Sequence, residues 1–395
     1  WVVDSQQILD NLADSAPDNL RLFVFGVGYD VDTFLLDSLA QSQHGLSMYV
    51  SPEEALDERL SEFYEKIRSP VLTDIELNFG GLEVYDVYPN PLPDLFEGNQ
   101  IIIIGRYRQG KNVEIQLKGK VNGIIKQFNY PDQHFSKGDQ VFEQSTNSLP
   151  RLWATRKIGY LLTEIRLNGA DEETVEQIIR LSLRYGIVTP YTSYLITEEV
   201  PLGETAQREA IQDAYSHAIA QPTQPSFGIE AVQKAAAGGA MSQAEQPLPP
   251  SNLGDTNIRV AGNRTFILKG EIWMDTTFDP ETMNPERIEF LSNAYFELAN
   301  MDVNLAAALA MGEQVMVVQK GSAIQIVPKG QGGIREWTAT PGQAVMMETL
   351  EPKENQEQFP EPQRFSSWQP LLGGAALGIL IFLLVKVTRK KHSLT

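Results

Sequence analysis

The sequence predicts a multidomain α/β + β chain: half of a doubly wound sheet, an antiparallel β-sandwich with helices, a small α+β module and one C-terminal transmembrane helix. Three observations carry this prediction. Residues 1–70 alternate helical and apolar strand patterns, residues 71–145 switch to period-two alternation, and residues 370–385 hold no charge.

In residues 1–70, Asp4 can cap a helix through Leu12, and Leu20-Arg-Leu-Phe-Val-Phe-Gly-Val reads as a buried strand of the parallel kind. Asp32 can cap a second helix whose apolar side carries Phe34, Leu35, Leu36 and Leu39. Residues 47–50 form a short strand, and Ser51-Pro-Glu-Glu opens an acidic third helix reaching Ile67. Two strands and three helices make half a doubly wound sheet, with one edge of the first strand lacking a neighbour. Residue 1 is Trp, and no charged segment followed by an apolar stretch precedes the first helix, so the chain is expected to be processed or a fragment.

Residues 71–200 are expected to form the sandwich and a helical segment. Ile75-Glu-Leu-Asn-Phe, Leu82-Glu-Val-Tyr-Asp-Val-Tyr, residues 101–107, Val113-Glu-Ile-Gln-Leu and residues 124–130 read as strands, with Gly80-Gly81, Gly98-Asn99 and Gly110-Lys111 as turns. Helices follow over 149–186, stopped by Gly186. Residues 201–256, rich in Ala, Gln, Pro and Ser, read as a flexible linker with one or two weak helices. The module at 257–328 is expected to hold a hairpin over 258–274, an amphipathic helix over 285–300 and a second hairpin over 315–327. Residues 329–367 form a Pro/Glu-rich tether, 368–387 the membrane helix and 388–395 a basic tail.

The uncharged run makes about 24 Å of helix at about 1.5 Å per residue. Extension to Trp368 and Val387 reaches the length a bilayer core needs. Trp368 would lie at the interface, Leu371 and Phe382 in the apolar span, and Lys386 would snorkel outward. Lys386, Arg389, Lys390 and Lys391 follow without an acid, whereas residues 348–361 are dominated by acids. That asymmetry puts the tail in the cytoplasm and residues 1–367 outside. The lipid bilayer is thus an expected partner, and Gly374 with Gly378 forms a GxxxG pair suited to a helix-mediated dimer. Three alternatives stay open: a buried core helix, a tail anchor with its bulk in the cytosol, and a cleaved sorting signal near Pro360-Glu361-Pro362.

Composition narrows the function. Lys and Arg number 32 against 51 Asp and Glu, a balance that repels nucleic acid. Without cysteine, disulfides, thiolate nucleophiles and Cys-ligated zinc are excluded. An exported protein of this kind is more typical of a bacterium. Gly105-Arg-Tyr-Arg-Gln-Gly-Lys111 matches a phosphate-binding loop through its lysine, but Asn112 and an alternating strand follow, so a hairpin turn explains it better. Gly26-Val27-Gly28 has Val31 where a dinucleotide fingerprint needs its third glycine. Asp30 and Asp32 fit no calcium loop, and His44, His134, His217 and His392 are scattered. No catalytic residue and no cofactor or metal ligand is expected in this chain.

Leu22-Phe-Val-Phe-Gly-Val-Gly-Tyr-Asp-Val-Asp, with Leu35-Leu, Leu39-Ala40 and Gly45, resembles the C-terminal half of a von Willebrand factor A (VWA) domain. Ile67-Arg-Ser-Pro-Val-Leu-Thr-Asp-Ile, Leu92-Pro-Asp-Leu-Phe-Glu-Gly-Asn-Gln, Gly105-Arg-Tyr, Leu152-Trp-Ala-Thr-Arg-Lys-Ile and Tyr185-Gly-Ile-Val-Thr-Pro-Tyr-Thr-Ser resemble inter-alpha-trypsin-inhibitor heavy chains and their bacterial VIT/VWA relatives. Val260-Ala-Gly-Asn-Arg-Thr-Phe and Glu271-Ile-Trp-Met-Asp-Thr extend the resemblance to a distal module. The resemblance implies an adhesion-like protein that binds a protein or matrix ligand. It also implies a divalent cation such as Mg2+ in full-length members, held by an Asp-x-Ser-x-Ser loop that this chain lacks. Asp279-Pro280 is followed by Glu281, so the family's Asp-Pro-His linkage to hyaluronan is not carried over. Two other readings remain: a structural subunit of an envelope or secretion assembly, and a hydrolase whose catalytic residues lie upstream.

Overall fold

The computed structural model describes residues 4–17, 19–135, 148–192, 202–220, 226–246, 258–331 and 379–385. It begins with α1 (Ser5–Ser15), β1 (Val24–Val27), α2 (Thr33–Ser42), β2 (Ser47–Val50) and α3 (Leu56–Ile67). Asp4 caps α1 by accepting from the Gln7 amide, and Asp32 caps α2 by accepting from the Leu35 amide, as their positions predict. The third helix starts later than expected. Ser51 and Glu54 close a turn in which the Glu54 carboxylate accepts from the Ser51 amide, and the helix begins only at Leu56. β1 and β2 pair in parallel.

The sandwich comprises β3 (Pro70–Asn78), β4 (Glu83–Tyr88), β5 (Leu95–Phe96), β6 (Ile101–Arg108), β7 (Asn112–Val121) and β8 (Ile124–His134). One sheet has the order β5-β3-β7-β8. The other contains β6 and β4, joined by β15 (Ile379–Val385). β6 and β7 lie in different sheets, so the 109–111 turn is a crossover between layers and not the expected hairpin. The hairpin is β7–β8, closed by Asn122 (φ 50°) and Gly123 (φ 78°). Two successive positive φ values define a type I′ turn, which Asn-Gly adopts readily.

The terminal helix is overturned. Residues 379–385 run as a strand antiparallel to residues 101–107, with Phe382 opposite Ile104. Among the described residues, no helix is long and apolar enough to cross a membrane. Single-pass membrane topology and the bilayer contact built on it therefore lack support. The physical reason is ambiguity: a short apolar run suits a buried strand as well as a helix, and β6 offers an edge that satisfies its backbone. The other anchor residues, Trp368, Leu371, Gly374, Gly378, Lys386, Val387, Arg389, Lys390 and Lys391, lie outside the described residues, as do the tether and basic tail.

α4 (Ser148–Asn168) packs on β4 of the sandwich, and α5 (Glu172–Tyr185) packs on α4 and on the distal module's strand at 264–269. Asp171 caps α5, and Gly186 ends it in the left-handed region at φ 61°. Within the stretch read as a linker stand α6 (Glu204–Ala220) and α7 (Ile229–Ser242). The second buries Ala231, Val232, Ala235 and Gly238.

The distal sheet has the order β12-β14-β13-β11-β10-β9, formed by β9 (Ile258–Ala261), β10 (Arg264–Lys269), β11 (Ile272–Asp275), β12 (Glu286–Glu289), β13 (Val315–Gln319) and β14 (Ser322–Val327). The helix expected over 285–300 is divided: residues 286–289 join the sheet, and α8 (Asn293–Met301) starts after a Ser292 cap, followed by α9 (Val303–Leu309). Alternation fills both faces of the sheet. Phe266, Val315, Val317 and Ile326 face α8 and α9. Ile267, Met316, Val318 and Ala323 join Ile158, Ile178 and Ile179 of the central helices in one core that also reaches Tyr88 and Ile104 of the sandwich.

Candidate interaction site

The carboxyl ends of parallel strands are where open α/β sheets place ligands. Here that edge comprises the turns after β1 and β2. Asp30, Glu53 and Glu54 are exposed on it, and Asp32 is half-buried. Tyr29 Oη donates to Glu53 Oε2 at 3.0 Å, which raises the phenol's pKa. Glu53 is held low, first by its own backbone amide and then by Tyr29. Glu54 is lowered by the Ser51 amide and pairs with Arg59 at 3.2 Å. Glu53 and Glu54 are therefore ionised at neutral pH.

A segment distant in sequence borders this rim. The Thr33 amide and hydroxyl both donate to the Ser226 carbonyl (2.8 and 3.0 Å), and the Gly228 amide donates to the Tyr29 carbonyl (3.0 Å). These bonds bring the start of α7 beside the rim, with Phe227 and Ile229 exposed. Behind it, Val232 and Ala235 pack on Tyr49 of β2.

Below the rim lies a buried ionic cluster. Asp37 of α2 pairs with Arg166 of α4, and it accepts from Ser47 Oγ and from Tyr49 Oη (2.8 Å). Burial pushes Arg166 down to about 10 and raises the Tyr49 phenol. Beside Arg166, a cavity of about 240 Å³ lies between Leu162 and Ile165 of α4, Pro190 and Tyr191, and Ala237 and Met241 of α7.

The motifs that carry the family resemblance lie at junctions. Arg21, just before β1, reaches Asp94 (2.7 Å) and Asp74, tying the α/β segment to the Leu92–Gln100 motif and to β3. Trp153 Nε1 donates to the Asp86 carbonyl, and Lys157 pairs with the Asp86 carboxylate (2.9 Å). Arg156 donates to the carbonyls of Ala244, Tyr88 and Ile102. Arg151 Nη2 donates to the Gly186 carbonyl, and Thr189 with Thr192 closes the following turn. In the distal module, Arg264 and Asp275, one from each motif, form a buried pair at 3.0 Å. Sequence reasoning identified these motifs but could not tell that their polar groups join modules. It missed Asp37 and Arg166, whose pairing spans distant segments and leaves no local signal.

The described residues do not fit the cation that the family resemblance implies. Among the described residues, no group of three or more His, Asp or Glu side chains is arranged to hold a metal. Asp32 is engaged by Ser5 Oγ and the Leu35 amide.

No protein-family model matches the chain. It is similar to the curated protein inter-alpha-trypsin inhibitor heavy chain H2 of Homo sapiens, 27% identical over 203 residues, covering 49% of this chain and 21% of the relative. Heavy chain H3 of Mus musculus is 26% identical over 231 residues, covering 56% and 26%. Heavy chain H4 of Homo sapiens is 28% identical over 208 residues, covering 49% and 22%. The chain thus spans about a fifth to a quarter of these relatives. All three are mammalian and lend no support to a bacterial origin.

Proposed function

We propose, from the kinship with inter-alpha-trypsin inhibitor heavy chains over about half the chain, that this protein binds another protein or a matrix component and performs no catalysis of its own. The observation that carries this reading is the acidic rim of Asp30, Glu53 and Glu54 at the carboxyl ends of β1 and β2. Three carboxylates on turns favour a partner with a basic surface, and the attraction weakens with salt. Behind the rim, Val232 and Ala235 of α7 pack with Tyr49, Tyr29, Val31 and Leu36 and hold its turns in place.

Binding of the purified chain to immobilised collagen, laminin and fibronectin, followed by surface plasmon resonance, tests this. At least one surface is expected to bind, with affinity falling about tenfold or more in Asp30→Lys/Glu53→Lys, the equivalent of about 1.4 kcal/mol. Both residues are exposed, so the variant's melting temperature should stay close to that of the parent. Binding unaffected by the charge reversal would refute the rim as the site.

A further inference from the structure

The outer edge of β8 has features that neither the fold nor the acidic rim uses. β8 is the last strand of its sheet and pairs only with β7 among the described residues. The type I′ turn at Asn122-Gly123 fixes its hydrogen-bonding phase. Flanking a two-residue turn, Val121 and Ile124 exchange both backbone bonds, and such pairs alternate along the ladder. Ile124, Lys126, Phe128 and Tyr130 therefore turn their amides and carbonyls towards β7. Ile125, Gln127 and Asn129 turn theirs outwards. The register runs without a shift from Val121↔Ile124 to Ile115↔Tyr130. Pro131, the next outward position, has no amide to offer. The edge is thus a template three residues deep with a defined end.

Its side chains are unusual for a solvent edge. Natural edges are commonly protected by charge, bulges or brevity. Here Ile124 is 63% exposed and Ile125 71%. The bulge that protects this strand lies beyond the template, where the register shifts opposite Val113 and Asp132 has φ 54°. On the side facing the other sheet, Ile124, Lys126 and half-buried Phe128 succeed one another. Lys126 has no ion-pair partner among the described residues.

We propose that the outer edge of β8 is a docking site for a short extended segment of a partner protein, which adds as a further strand and sets a carboxylate beside Lys126. Main-chain bonds to Ile125, Gln127 and Asn129 would supply affinity, and alternate side chains would supply selectivity. Apolar residues fit beside Ile124 and Phe128, with the acid between them. A second copy of the chain fits less well. Residues 124–130 contain no acid, so twofold pairing of this template with itself offers Lys126 no carboxylate, and each copy carries a net charge of −19.

The test uses the whole chain and a blocked synthetic peptide, Thr-Val-Thr-Glu-Thr-Val-Thr, whose Val, Glu and Val fall on one side of a strand. Amide exchange is followed by mass spectrometry alongside binding by calorimetry. The peptide is expected to slow exchange in the β8 edge at least tenfold. The same peptide N-methylated on its edge-facing amides should give no protection. Lys126→Glu should weaken binding about tenfold, and so should replacing the peptide's glutamate by lysine. Gln127→Pro should abolish binding while leaving the β7–β8 bonds and the melting temperature intact, because the Gln127 amide points outwards. Equal binding of the N-methylated peptide, or no binding of the parent peptide, would overturn the proposal. So would edge amides already protected without peptide, whether at all concentrations (the chain covers its own edge) or only at high concentration (a second copy does).

Discussion

Replacing Asp37 by Ala leaves Arg166 buried at the junction of α2 with α4, without the carboxylate that neutralises it. The side chains of Arg166 and Asp37 are 12% and 6% exposed. Breaking a buried pair on one side costs about 3–5 kcal/mol, because the remaining charge has lost both solvent and partner. Ser47 also loses its acceptor, while Tyr49 keeps only the Thr33 carbonyl. A 395-residue, multi-module chain need not unfold in one step, so the quantity to measure is local. Hydrogen exchange in peptides from α2, β2 and α4 gives the free energy of opening at the junction, with distal-sheet peptides as an internal reference. Asp37→Ala should lower it by about 3–5 kcal/mol in the first set. Asp37→Leu/Arg166→Met should recover most of the loss, since an apolar pair of similar volume removes the stranded charge. A loss below about 1 kcal/mol, the range of exposed pairs, would refute the reasoning. A double variant no better than the single one would do the same.

Two further outcomes follow from close approach and from titration. A Cβ on Gly159 of α4 would lie 2.3 Å from the Ser242 amide nitrogen and 2.7 Å from Met241 Cβ, so Gly159→Ala must push α7 away. It should cost about 1–3 kcal/mol and speed exchange in α7 and β2 together. Asp74 is held below its usual range, first by the hydrogen bond from Lys120 and then by Arg21. A depressed carboxylate stabilises the fold fully above its unfolded value and loses that contribution as pH falls through its lower, folded value. Melting temperatures from pH 6 to pH 2 should therefore show the parent falling more steeply than Asp74→Asn on the acid side, with the curves converging at the lowest pH.

The elements visible in sequence were those governed by local rules. Period-two alternation located β3, β4, β6, β7 and β8, and caps located the starts of α1 and α2, because each signal resides within a few residues. What escaped depends on distant contacts. Alternation marks a strand but not its sheet, so the crossover from β6 to β7 looked like a hairpin. α7 is rich in Ala and Gly, a composition that resembles a linker, yet the bare backbone of Gly159 in α4 lets its Met241 and Ser242 approach closely. The 368–387 run met the length and polarity arguments for a membrane helix, and for residues 379–385 only a partner for the backbone separated strand from helix. The acidic rim was half legible: Asp30 and Asp32 drew notice as a cation site, whereas Glu53 and Glu54 meet them only after β1 and β2 pair.

The position of α7 also constrains biosynthesis. Its Val232 and Ala235 complete the cluster around Tyr49, yet they leave the ribosome long after β2. At about 5–20 residues per second, the chain from Val50 to Ser242 takes roughly 10–40 s to make. Throughout that interval the nascent β1–β2 region lacks the helix that covers Tyr49, Val31 and Leu36. Those side chains stay exposed to whatever else is unfolded nearby. Closure of the cluster around Tyr49 is therefore timed by a helix encoded well over a hundred residues downstream, and the yield of native protein depends on what shields that surface until the helix arrives.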